Sequence, residues 1–259
     1  MELFNLTDKY SLSGKYKYIF GLWVVIFGII SLFPAISPDN SVSLKISSSV
    51  VTYALFLSLS VTMLVATISL RMSEIYQVLF LILGLVASYL TGRLDVNYPL
   101  VAVLRSPALL FTAAGAGLLL VRRIEKSWHI VAAAMVAFVA DIWSVYSAQG
   151  VTRQLIEKAP EVLNVLLLSF PFPGGTVRPM IGVTDYVFIA IFLLHSDKFS
   201  LNTTNTLIAV TLSLVFTVTL VNVFGVGLPA IPLMSLFFIA INGKKLWGDF
   251  RKDYRNGFK

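Results

Sequence analysis

Long apolar runs separated by short polar interruptions make up most of the chain. A helix needs about 20 apolar residues to cross a hydrocarbon core of roughly 30 Å. Eight stretches come close to that length: residues 18–36, 49–70, 74–91, 106–121, 128–147, 179–195, 204–224 and 228–243. Each reads as a helix, because a segment surrounded by lipid must satisfy its backbone polar groups internally. The fourth run is the weakest, with only 16 uncharged residues between Arg105 and Arg122. It is short, tilted, or extended backwards through residues 98–104, and nine spans is the nearest alternative count. The expected fold is all-α, a polytopic transmembrane helical bundle forming a single multi-pass membrane domain over residues 1–259.

Composition agrees with this solvent. Hydrophobic residues are 57% of the chain and charged residues 13%, with a mean hydropathy of +0.85. Soluble domains run nearer one half and one quarter. The first span follows a polar lead containing Lys9, Lys15 and Lys17 and no small-residue cleavage site follows it, so it reads as a permanent helix rather than a signal peptide. The chain has no cysteine, which removes disulfides, thiolate catalysis and cysteine metal ligation. His129 and His195 fall at span ends and read as interfacial, solvated side chains, so neither a metal nor a cofactor is expected.

A net charge of +7 could point to nucleic acid, but its distribution points to membrane orientation. Lys and Arg divide 14 to 6 between the two sets of loops, with the N-terminal lead and the tail KKLWGDFRKDYRNGFK (residues 244–259) on the richer side. The positive-inside rule then predicts both termini in the cytoplasm. The tail would lie near anionic headgroups, chiefly as a topology signal. The lipid bilayer is the expected surrounding partner and nucleic acid is not.

Of the 13 carboxylates, all but two fall in loops, tails or at a span's end; Asp141 and Asp185 lie inside spans. A carboxylate in hydrocarbon costs several kcal/mol by insertion scales, so such groups face a cavity or a partner and are functional candidates. Neither of the two helices carries an internal Lys or Arg that would neutralise them. Two carboxylates brought together tend to share one proton, which supplies an acid and a base at the same pH. One can then deprotonate a water while the other donates a hydrogen bond to a peptide carbonyl. The same pair could move protons through a transporter or bind a cation.

Three segments in order separate these readings. FVADIWSVYS (residues 138–147), IGVTDYVF (181–188) and GLPAIPLMSLFF (227–238) resemble the three signature helices of the GxGD intramembrane aspartyl proteases, the family of presenilin and signal peptide peptidase. The likeness covers roughly residues 125–243, with the stretch 1–127 matching only as apolar helices. It implies Asp141 and Asp185 as the catalytic pair, with Gly182, Thr184, Pro229, Ala230 and Ile231 shaping the substrate site. Ala140 stands where the family has a tyrosine, and Thr184 where it has the second glycine of GxGD. The substrates implied are transmembrane segments or signal peptides.

Between the two aspartate helices, residues 148–178 form the longest connection in the chain. It reads as an amphipathic helix over TRQLIEKAPEVLNVLLLSF (152–170) followed by a PFPGG turn (171–175), placed to gate a substrate or to anchor the connection at the interface. Glycines in FTAAGAGLLL (111–120) fit close helix packing. The expected activity is hydrolysis of peptide bonds within the bilayer by the two aspartates. The alternatives are a relative that binds membrane helices without cutting them, to which Ala140 and Thr184 point, and a proton-coupled transporter.

Overall fold

The computed structural model describes residues 49–68, 74–94, 99–159, 162, 165–169, 180–224 and 228–257. The expected first span (18–36) and the PFPGG turn lie outside the described residues. In chain order the elements are α1 (Ser49–Ile68), α2 (Glu74–Gly92), α3 (Pro99–Arg123), α4 (His129–Tyr146), α5 (Val151–Lys158), β1 (Leu167–Ser169), β2 (Met180–Gly182), α6 (Val183–Lys198), α7 (Thr203–Phe224) and α8 (Ala230–Arg255). Among the described residues the regular structure is helical apart from one strand pair. Among the described residues four helical stretches are long and apolar enough to cross a membrane, Ile75–Gly92, Leu104–Arg123, His129–Lys158 and Thr203–Val221.

Helix α6 is the centre of the bundle, packed against α1, α3, α7 and α8. Its middle turns, Val187 to Leu194, are apolar on every side, as a helix segment covered all round requires, and Tyr186, Ile189, Ala190, Phe192 and Leu193 are buried. Close approach depends on small residues. A Cβ on Gly117 of α3 would come within 2.6 Å of Ala190 Cβ on α6, and one on Gly84 of α2 within 2.8 Å of the Ala108 carbonyl on α3. In lipid, where apolar surface is buried either way, backbone proximity of this kind supplies the packing that drives helix association. Helices α2 and α4 lie at the periphery and leave Ile75, Leu79, Ile82 and Leu83, and Val136, Val139 and Trp143, exposed, a surface suited to acyl chains.

The basic loop residues meet at one end of the bundle. Lys198 Nζ donates to the carbonyls of Val121 (3.0 Å) and Ile124 (2.6 Å) at the end of α3, and Lys245 Nζ to the Phe199 carbonyl (3.0 Å). A cation at a helix C-terminus satisfies carbonyls that have no intrahelical donor and meets the negative end of the dipole. Nearby, Ser127 Oγ donates to Asp249 Oδ2 at 2.7 Å and Trp128 Nε1 to Asp253 Oδ2 at 2.9 Å, which ties the α3–α4 turn to the far end of α8.

Of the alternatives for the fourth run the structure has the backward extension, its helix starting at Pro99. Other expectations are corrected. The last run does not stop at residue 243: α8 continues through the basic tail to Arg255. The helix expected over 152–170 is interrupted after Lys158, because Pro160 lacks an N–H and disfavours the helical region for the residue before it; Ala159 has φ −146° and ψ 58°, and residues 162, 165 and 166 are helical again. Residues 167–169 of that stretch are instead strand β1, and the sixth run opens with strand β2 before its helix begins at Val183. An all-α description therefore omits one antiparallel pair, in which Leu168 faces Ile181 and both are buried. His195 is not solvated: it is fully buried, with Nε2 2.8 Å from the Ser127 carbonyl.

Candidate active site

Strand β2 delivers the chain to the first turn of α6. Gly182 is both the last residue of β2 and the N-cap of the helix, with φ −64° and ψ 141°. Asp185 is therefore the third residue of α6, and its half-buried carboxylate bonds with the Gly182 backbone amide. An acid at this position reaching back to the cap satisfies an amide that the helix leaves without a partner, and it sits in the positive end of the helix dipole. Glycine leaves room for that return: a Cβ on residue 182 would lie 3.3 Å from Thr184 Oγ1 and 3.4 Å from Asp185 Oδ2.

Asp141 lies near the end of α4, the peripheral helix, and is half-buried. Its Oδ2 accepts the backbone N–H of Ile231 at 3.1 Å. Ile231 is the second residue of α8, which starts after Pro229 as N-cap (φ −66°, ψ 129°). Here the prolines matter. Pro229 has the fixed φ that suits a helix start, and Pro232 carries no N–H. Among the first-turn amides, that of Ile231 goes to a carboxylate 90 positions earlier in the chain. The Ile231 and Ala230 side chains are buried in the core.

Helix α8 packs against both α4 and α6, and so links the two aspartates. Asp141 is near enough to act electrostatically on Asp185. Of the seven site residues read from the sequence, Asp141 and Ile231 are directly bonded, and Gly182 and Asp185 meet through the cap. Pro229 and Ala230 set the start of α8. Thr184 is exposed and points away from the core, and Ala140 is also exposed. Each carboxylate thus receives a backbone amide at the start of a helix. Among the described residues no three His, Asp or Glu gather as a metal-ligand set.

Two features were not legible in the sequence. Tyr186, next to Asp185, is fully buried and its hydroxyl hydrogen-bonds Ser60 on α1, which ties the first turn of α6 to that helix. In the sequence Tyr186 was one more residue of an apolar run, although a tyrosine in hydrocarbon always needs a partner for its hydroxyl. The second is the strand pair, whose two halves are ten residues apart in the chain. Neither a protein-family model nor a curated protein matches the chain.

Proposed function

We propose that the protein is an intramembrane aspartyl protease of the presenilin and signal peptide peptidase type. In this reading it has eight spans, both termini lie in the cytoplasm, and it hydrolyses transmembrane or signal-peptide segments. The observation that carries it is the bond from Ile231 N–H to Asp141, which joins the first and third signature segments beside Asp185. One aspartate, as carboxylate, takes a proton from water while the other, as acid, donates a hydrogen bond to the scissile carbonyl. The hydroxide adds to the carbonyl carbon, and collapse of the tetrahedral intermediate breaks the C–N bond as the amine takes a proton. The pair can divide these parts in either order.

The strand pair supports the same reading. Among the described residues β2 pairs only with β1, so its other edge presents backbone groups to an extended peptide. Strand addition supplies main-chain hydrogen bonds, and a peptide laid along β2 would pass Asp185 three residues on. A helical substrate must be unwound before attack, and such an edge stabilises the unwound form.

One specific observation favours a second reading, that the aspartates are helix-capping groups in a protein that binds membrane helices without cutting them: each accepts an amide at a helix start. Asparagine keeps the accepting oxygen and loses the titrating group. The test is cleavage of a tagged single-span substrate in detergent by wild type, Asp141→Asn and Asp185→Asn, with thermal unfolding of each. Cleavage by wild type alone, with all three equally stable, supports the protease. No cleavage by wild type over several substrates and pH values rejects it in favour of helix binding.

A further inference from the structure

Arg105 belongs to none of the interactions described so far. It lies inside α3 and is 2% exposed, and its Nε is buried without a hydrogen-bond partner. Both ion pairs found among the described residues lie elsewhere, at Lys126–Asp253 and Arg153–Glu157. A buried guanidinium is costly unless a carboxylate or other acceptors meet it, and no carboxylate among the described residues is paired with this one.

The packing contacts give its level in the bundle. Helices α3 and α6 run parallel, with Gly117 against Ala190 and Lys198 at the end of α3. The same offset sets Asp185 level with Thr112, so Arg105 lies seven residues, or about 10 Å of helix rise, further toward the end where α3 meets β1. Helices α2 and α3 run antiparallel, with Gly84 against Ala108 and Thr112 and Gly115 against Gln77 and Leu81. One turn on from Gly84, Ser88 comes level with residues 104–108; its Oγ is likewise buried without a partner. Two buried side chains with hydrogens to donate thus share one level at the strand-pair end of the site.

We propose that Arg105, aided by Ser88, binds a carboxylate on the substrate peptide. This deepens the proteolytic reading and rests on it. At about 3.3 Å per extended residue, the span from the aspartates corresponds to an Asp or Glu about three residues from the scissile bond. The planar fork of a guanidinium matches a carboxylate through two parallel hydrogen bonds, and an extended peptide beside β2 carries its side chains past this level.

The test uses two single-span peptides, identical except for Glu or Gln three residues from the cut, assayed with the full chain as wild type, Arg105→Gln and Arg105→Lys. Wild type is expected to cleave the Glu peptide about tenfold more efficiently, through a lower KM, since losing one partner of a buried charge pair weakens binding at least that much. Arg105→Gln is expected to abolish the preference, so that the two peptides have the same KM, and Arg105→Lys to keep part of it. Equal cleavage of both peptides by wild type overturns the inference and leaves the protease intact, and so does an Arg105→Gln loss that is the same for both. Binding of the same peptides in neutral detergent, and in micelles doped with anionic phospholipid, gives a readout independent of hydrolysis. Arg105-dependent preference for the Glu peptide without cleavage supports the carboxylate site while removing the protease. Arg105-dependent binding of the anionic lipid with no peptide preference overturns the inference.

Discussion

The backbone N–H of Ile231 donates to Asp141 Oδ2 at 3.1 Å, so the start of the last helix is fastened to the carboxylate of a peripheral one. Anything that alters this contact alters both a helix start and one half of the proposed dyad, and substitutions can separate the two roles.

Asp141→Asn keeps an acceptor for the Ile231 amide. Its unfolding free energy is expected to stay within about 0.5 kcal/mol of wild type, whereas Asp141→Ala, which leaves that amide unpaired, loses about 1–3 kcal/mol. Turnover is expected to fall about 100- to 10,000-fold in both, the usual worth of acid–base catalysis. Denaturant titration beside a cleavage assay checks this, and parallel loss of stability and activity across the two variants would leave only the capping role.

Gly182→Ala introduces a Cβ 3.3 Å from Thr184 Oγ1 and 3.4 Å from Asp185 Oδ2. Its expected effect is a loss of activity because the methyl group pushes Thr184 and distorts the first turn that carries Asp185, with the helix still formed. Because Thr184 is the nearer obstacle and is exposed, Gly182→Ala/Thr184→Gly should recover most of the activity at about 1 kcal/mol of lost stability, the usual cost of glycine in a helix. Failure of the double variant to recover would mean that the carboxylate itself is what the methyl group displaces.

Gly117→Ala sets a methyl group 2.6 Å from Ala190 Cβ. Forcing α3 away from α6 is expected to cost about 1–3 kcal/mol, as overpacking does elsewhere. Ala190→Gly in the same chain should restore much of it, and a double-mutant cycle by thermal or denaturant unfolding measures the coupling.

At the basic end, the hydrogen bond from Trp128 Nε1 and the nearby Lys126 ammonium hold the Asp253 carboxyl below its ordinary value. A depressed folded value means that the folded state binds this proton more weakly than the unfolded chain does. The stabilisation is therefore complete above the ordinary carboxylate range and is lost as pH falls through the lower folded value. Trp128 fluorescence is expected to change over that acid window, and Asp253→Asn should abolish the change while wild type shows it.

The sequence by itself determined the solvent of this protein and the supply of its chemistry. Runs of apolar residues near membrane length leave little but helices as spanning structure, since backbone groups in lipid must be satisfied within the segment. The same reasoning isolated Asp141 and Asp185, because a carboxylate inside an apolar run stands out without any knowledge of its neighbours. Tertiary structure decided what those residues touch. Apolar period cannot tell a short buried strand from the end of a helix, so residues 167–169 and 180–182 became strands only by pairing with each other. The Ile231 amide reaches Asp141 because α8 packs against α4, a long-range contact on which local sequence is silent. Arg105, at the edge of an apolar run, read as the boundary of a span, and the extension of α3 back to Pro99 with α2 packed alongside turned it into a buried charge. Hydrophobicity along a chain reports which solvent a residue prefers, whereas the partner of a buried polar group is fixed by the other helices that pack around it.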